Sequence, residues 1–255
     1  MNRNLIKYDS ENWGLSLLKA CVVFAIWMLF FGMSVMGDVA LAQNQSSNKN
    51  LETITFKSIA FDESGKLFLY TEHHTLTKRD SKVIRTVTTY KNKNGKSLGS
   101  FKSNYSSHSF APDTVLKDVV ANRVTRTQLK GKNLILSNGQ NKKAVNIPTQ
   151  KPLVIGQGLH YFVLEHFSKL QKGKTIDFVL GVPDRQAIYE FRVFKLKDLP
   201  KGKVRLRIEI DSWVKRRLVD PIDVDYTRDG KLTRYKGISN LSDESGKRPT
   251  VIIQY

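Results

Sequence analysis

The segment Lys203 to Asp211 constrains the fold more than any other stretch of the chain. Val204, Leu206, Ile208 and Ile210 occupy alternate positions, and Lys203, Arg205, Arg207, Glu209 and Asp211 occupy the positions between them. A helix repeats every ~3.6 residues and cannot satisfy a period of two, so the segment predicts a strand with one dry and one wet face. Such a strand needs a sheet around it, and partners are at hand. Lys82 to Tyr90 (KVIRTVTTY) is dense in β-branched residues, and Leu67 to Thr77 (LFLYTEHHTLT) alternates for much of its length. Asn94-Gly95, Asn138-Gly139 and Asp229-Gly230 are dipeptides favoured in two-residue hairpin loops, where both central residues take positive φ.

The Asp229-Gly230 turn allows a register to be written. A two-residue loop sets Arg228 opposite Lys231, and hence Asp225 opposite Arg234, Val224 opposite Tyr235 and Asp223 opposite Lys236. Both charged pairs are opposite in sign and share a face, which supports the register. One segment departs from the β pattern. Within Gly158 to Lys172, the residues Leu159, Phe162, Val163, His166, Phe167 and Leu170 follow amphipathic-helix spacing, with Gly173 as the stop. His166 falls on the apolar stripe as a hydrogen-bonded core histidine, and His160 on the wetter side. Pro112 and Asp113 open a short helical turn through Val120. The fold expected is α+β and mostly β: a strongly curved antiparallel sheet, half-barrel or open barrel, packed around the amphipathic helix near 158–172.

The N-terminus carries an address. Ala20 to Met36 (ACVVFAIWMLFFGMSVM) is an apolar run preceded by Arg3, Lys7 and Lys19 and followed by Ala40-Leu41-Ala42. That order is the layout of a secretory signal, with Ala42 as the cleavage residue. The alternative is an uncleaved anchor helix over about 20–37, near the lower length limit for a membrane span. Residues 43–50 (QNQSSNKN) read as a polar linker, and 51–255 as a single β-rich domain. The chain has 42 Lys and Arg against 23 Asp and Glu, a net charge of +19. Removal of 1–42 takes three residues of each sign and leaves that balance unchanged. Export turns the basic charge away from nucleic acid and towards anionic lipid, lipopolysaccharide phosphates or wall polymers. The single cysteine, Cys21, excludes a disulfide framework and any Cys-based zinc site.

A family resemblance rests on LYTEHH (Leu69–His74), TTY (Thr88–Tyr90), GLHYFV (Gly158–Val163), VPDRQAIYEFRV (Val182–Val193), LVDPIDVDY (Leu218–Tyr226) and GISNL (Gly237–Leu241). These segments resemble a family of exported proteobacterial β-rich proteins of unknown function. More loosely, they are similar to half-barrels of the lipoprotein-carrier type, whose concave face holds acyl chains. The resemblance implies the periplasm of a gram-negative bacterium or, with the anchor retained, an inner-membrane protein facing the periplasm. It brings no catalytic residue.

Candidate chemistry is sparse. No window matches a phosphate-binding glycine loop, a zinc-protease helix or a nucleophile elbow, so no cofactor is expected and a non-enzymatic role leads. Glu72 and His74 share a strand face and offer two metal ligands, with His108 as a third from elsewhere. Ordinary polar strand residues are the competing reading. Arg185 and Arg192 would hold an anionic head group if their face lines the concave side; the alternative is a Glu190–Arg192 surface pair. Trp213 beside Lys215, Arg216 and Arg217 suits a lipid–water boundary, or else is a core tryptophan before a solvated turn. Lys203, Arg205 and Arg207 project together as an anionic-surface contact, whereas Lys142 and Lys143 flank a separate hairpin. The expected function is an exported envelope protein binding a hydrophobic or anionic amphiphilic ligand. The alternatives are an envelope scaffold or assembly factor binding another protein, and a hydrolase of wall or lipid substrates.

Overall fold

The computed structural model describes residues 50–148, 150–217 and 219–255. The signal or anchor, its Ala42 cleavage site and residues 43–49 of the linker lie outside the described residues, as does Leu218. The chain forms β1 (Leu51–Asp62), β2 (Phe68–Arg79), β3 (Lys82–Lys91), β4 (Ser97–Asn104), β5 (Asp113–Asp118), β6 (Arg123–Lys130), β7 (Asn133–Asn138), β8 (Asn141–Asn146) and β9 (Leu153–Ile155). Two short helices follow, α1 (Gly158–Glu165) and α2 (Phe167–Gln171). Then come β10 (Ile176–Val182), β11 (Ala187–Leu199), β12 (Lys203–Ile210), β13 (Ile222–Thr227), β14 (Leu232–Ile238) and β15 (Thr250–Gln254).

All these strands belong to one sheet, in the order β8 to β1 and then β15 back to β9. The first described strand, β1, therefore lies in mid-sheet, and the strands meander outward from it to β8. It crosses to the far edge at β9 and returns until β15 pairs β1. The sheet does not close by hydrogen bonding. It rolls until β7 lies against the outer side of β9 and β10, where Leu134 and Leu136 pack on Leu153, Ile155 and Val179. Phe178 and Leu180 of β10 face the helices instead, so β10 is covered on both faces, and its apolar run from Phe178 to Val182 (FVLGV) is the pattern such a strand requires. Gly181 permits the approach, because a Cβ there would collide with Ile155 and Leu134. The overlap is clasped by charge. Asp184, just past β10, meets Arg248 and lies 3.8 Å from Arg123.

The amphipathic segment forms as a helix pair, not one helix. The break falls at His166 (φ −101°, ψ 8°), whose Nδ1 lies 2.9 Å from the Phe162 carbonyl oxygen. Gly173, with φ +81°, ends the pair where expected. Phe162, Val163, Phe167 and Leu170 are buried against Phe178, Phe191, Val204, Leu206, Ile208 and Tyr226. Three local expectations are corrected. Residues 113–118 are a strand, with Thr114, Leu116 and Asp118 facing inward, because the alternation carries more weight than Pro112 as a helix opener. His160 is not on a wet side: its Nδ1 lies 2.9 Å from the Tyr226 hydroxyl, and burial lowers its pKa to about 4.

The third correction concerns the hairpin loops. Those at Asn94-Gly95 and Asp229-Gly230 have three residues, 93–95 and 228–230, closed by Asn92–Lys96 and Thr227–Lys231, and only the glycine takes positive φ. At the third dipeptide the loop is Gly139–Gln140, with Asn138 paired to Asn141. A bulge after Leu232 absorbs the extra loop residue, so Asp223–Lys236, Val224–Tyr235 and Asp225–Arg234 stand opposite one another as written from the sequence. The two-residue loop with both central residues at positive φ is Asp80–Ser81 between β2 and β3, which contains no glycine.

Candidate functional site

Beside the apolar patch of Ala60, Tyr70, Tyr90 and Phe101, the inner face of β1 to β4 carries a polar stretch. Ser58, Glu72, His74, Thr86, Thr88 and Ser103 are all buried there. Strand alternation turns Glu72 and His74 to this side while His73 points away. The Ser58 hydroxyl donates to Glu72 Oε2 at 2.8 Å and lies 3.0 Å from His74 Nε2. His74 Nδ1 meets the Thr88 hydroxyl at 3.0 Å. Gln157, just before α1, completes the chain. Its amide donates to Thr88 at 2.9 Å, and its carbonyl oxygen accepts from Thr86 at 2.7 Å and Ser103 at 3.0 Å. A continuous ladder thus ties four strands to the start of the helix pair. Tyr70 and Tyr90 lie in the same interior, their hydroxyl pKa values raised by burial first and then by the Glu72 charge, so both stay neutral.

Serine, histidine and acid invite comparison with an acyl-transfer triad, and the geometry rejects it. A triad acid must hold the imidazole nitrogen remote from the serine. Here Glu72 Oε2 lies 3.2 Å from the same Nε2 that faces Ser58, and the remote nitrogen is taken by Thr88. Ser58 is only 1% exposed, so no substrate reaches it. As metal ligands the pair lacks a third partner: His108 Nδ1 accepts the backbone N–H groups of Phe110 and Ala111, and among the described residues no three His, Cys, Asp or Glu side chains converge. The ladder is structural. The alternating sequence placed Glu72 and His74 together, but it could not tell that their side was the inside.

The arginines resolve into ion pairs on the outer face. Arg205 forks onto Asp225 at 2.6 and 2.7 Å, and Arg207 onto Asp223 at 2.8 and 2.9 Å, each directly across the β12–β13 pairing. The expected row of three projecting cations at Lys203, Arg205 and Arg207 is therefore corrected: two of the three charges are neutralised by carboxylates opposite. Arg192 lies on the outer side of β11 and pairs with Glu209 at 2.6 Å rather than with Glu190, which takes Lys151 at 2.9 Å. Arg185 is exposed in the turn before β11, so Arg185 and Arg192 do not form a head-group site on the concave face. That face is filled by the helix pair and its aromatic neighbours.

Trp213 is not a core residue. It is 67% exposed, with Val214 and Val219 exposed beside it in the β12–β13 connection. The Arg217 guanidinium lies 5.7 Å from its ring centroid, and Lys215 lies 5.5 Å from the Tyr189 ring. Arg216 is held by Glu209 at 2.9 Å. The loop thus presents an aromatic and two valines framed by cations, with Arg216 as the anchor that fixes it to the sheet.

No protein-family model and no curated protein sequence matches this chain. Among solved structures, it is similar to a β-barrel-like protein of a domain of unknown function, DUF1849, from Brucella abortus. The TM-score is 0.37 at 8% identity, over 79% of this chain and 94% of that one. At that level the likeness assigns neither a family nor an activity.

Proposed function

We propose that this chain is an exported, non-enzymatic envelope protein that holds an anionic amphiphile, a lipid or lipopolysaccharide surface, through the Trp213 loop. The observation that carries it is the exposure of Trp213, Val214 and Val219 next to Lys215 and Arg217. An indole and short aliphatic side chains favour the lipid–water boundary, and nearby cations meet head-group phosphates. The rejected triad argues against the hydrolase alternative. The signal-like N-terminus and the resemblance to exported proteobacterial proteins support the address.

Trp213 is its own reporter. Cleavage after Ala42 removes Trp13 and Trp27 and leaves Trp213 as the one indole. Residues 43–255, added to phosphatidylglycerol vesicles at low salt, should show a blue-shifted emission that salt reverses and that phosphatidylcholine vesicles do not elicit. Trp213→Ala with Val214→Ser should abolish co-sedimentation with the vesicles. Unshifted emission with equal sedimentation for both lipids would end the proposal. N-terminal sequencing of envelope-extracted protein should begin at Gln43; retention of 1–42 would assign the tethered alternative.

A further inference from the structure

The rolled sheet carries a second charged surface, on the face of β3 to β8 that turns away from the core. A concavity of about 430 Å³ opens there. Register explains its chemistry. Lys102 pairs Val115, Val115 pairs Arg126, Arg126 pairs Ser137, and Ser137 pairs Lys142, so these residues form one straight row across β4 to β8. Adjacent strands lie ~4.8 Å apart, which puts cations at every second strand about 10 Å apart along a row of roughly 19 Å. Arg85 joins from the neighbouring row. All four cations are exposed, and none is in an ion pair among the described residues. The one carboxylate at the rim, Asp113, accepts the Leu129 backbone N–H at 2.9 Å. This contrasts with β12, where each cross-strand arginine meets an aspartate.

The lining selects among anions. Single-stranded nucleic acid calls for aromatic platforms; the side chains between the cations are Val115, Ile135, Ser137 and Gln128. A bilayer boundary favours an exposed aromatic, and that lies in the Trp213 loop rather than here. Aliphatic patches suit the C–H faces of sugar rings, hydroxyl and amide groups suit sugar hydroxyls, and cations repeated along one straight row suit carboxylates repeated along an extended chain. We infer that this groove binds an extended polysaccharide bearing carboxylates, lying across β4 to β8 and independent of the Trp213 loop.

Affinity electrophoresis of residues 43–255 through gels containing polygalacturonate tests it. Retardation should be strong, absent with neutral dextran, and relieved by salt. Arg126→Gln with Lys142→Gln should weaken binding about tenfold or more, since each removes a charge-assisted hydrogen bond. Arg126→Lys with Lys142→Arg should retain most of it. Lys172→Gln with Lys174→Gln removes the same charge outside the groove and should change binding less than about twofold, as solvated charges do. Equal losses in the two neutralised pairs would reduce the effect to net charge and overturn the site. Poly-glutamate or phosphatidylglycerol vesicles competing as well as the polyuronate would overturn the assignment to polysaccharide. Trp213→Ala with Val214→Ser should leave the retardation intact, which separates this inference from the lipid proposal.

Discussion

Across β10 to β13 the inner face is Phe178, Phe191, Val204, Leu206 and Ile208 against a helix pair, whereas across β1 to β4 it is mixed: Ala60, Tyr70, Tyr90 and Phe101 form an apolar patch beside the polar Ser58, Glu72, His74, Thr86, Thr88 and Ser103. One half of the sheet is filled by apolar packing throughout, and the other adds a hydrogen-bonded ladder to a smaller apolar cluster, with Gln157 at the seam. Packing and ladder rest on different physics. Burial of apolar area is non-directional and stabilises in proportion to what is covered. A buried ladder gains little net energy per bond but costs heavily when one partner is lost, so it dictates which groups must face each other. Apolar burial thus stabilises both halves, and the ladder adds alignment of strands to the second.

The largest expected effect tests the apolar half. Phe162 is fully buried, with its ring centroid 5.0 Å from that of Phe178 and 5.6 Å from that of Phe110. Phe162→Ala should cost ~3–5 kcal/mol in urea unfolding, by lost transfer and an unfilled cavity. A loss below about 1 kcal/mol would mean that the helix pair is not the keystone of that half.

Next comes acid. His160, on α1 and stacked on Tyr226, has its pKa lowered by burial to about 4, so the folded state binds its proton less readily than the unfolded chain does. Stability from this group is complete above the unfolded value near 6.5 and is lost as pH falls through the window from ~6.5 to 4, up to about 3 kcal/mol in all. His160→Gln should flatten that part of the unfolding-versus-pH curve relative to the unmodified protein. Parallel curves would remove His160 as the acid-sensitive group of the apolar half.

The ladder should respond asymmetrically. Glu72→Leu removes the carboxylate that accepts from the Ser58 hydroxyl and lies against His74 Nε2, leaving those two groups only each other, and should cost ~1–3 kcal/mol. Ser58→Ala, Glu72→Leu and His74→Leu together remove the stranded groups and should recover most of that loss. A triple variant less stable than the single one would show the ladder to be worth more than the packing that can replace it.

These two interiors also explain what the sequence discloses. Period-two reading needs contrast between faces, and β12 has it, as does the helix stripe; both were legible, together with the pairing of Asp225 to Arg234. In β2 the inward Tyr70, Glu72 and His74 alternate with Thr71, His73 and Thr75, so neither face looks drier than the other, and the interior could not be told from the exterior. The arginine pairs of β12 were hidden for another reason. Eleven residues, 211–221, separate β12 from β13, and a connection of that length fixes no register, so Arg205 and Arg207 looked free. The basic groove was concealed the same way, since its row is built from five strands and only their pairing brings Lys102, Arg126 and Lys142 into line.

The smallest expected effect sharpens the outer face. Asp225 is 4% exposed and stands between Arg205 on one side and Arg234 on the other. Arg205 makes two short bonds to it, while Arg234 Nη1 reaches only to 4.0 Å and is otherwise unpartnered. Bidentate contact should make the Arg205–Asp225 coupling the larger, ~1–2 kcal/mol against ~0.5 kcal/mol or less for Arg234–Asp225, when each is measured by a double-mutant cycle to alanine. The two cycles share the Asp225→Ala variant, so the comparison does not depend on what that change does to the unfolded chain. Equal couplings would mean that the carboxylate is shared evenly by both arginines in solution. A larger coupling to Arg234 would reverse the assignment of Asp225 to β12 and return Arg205 to the pool of free surface cations.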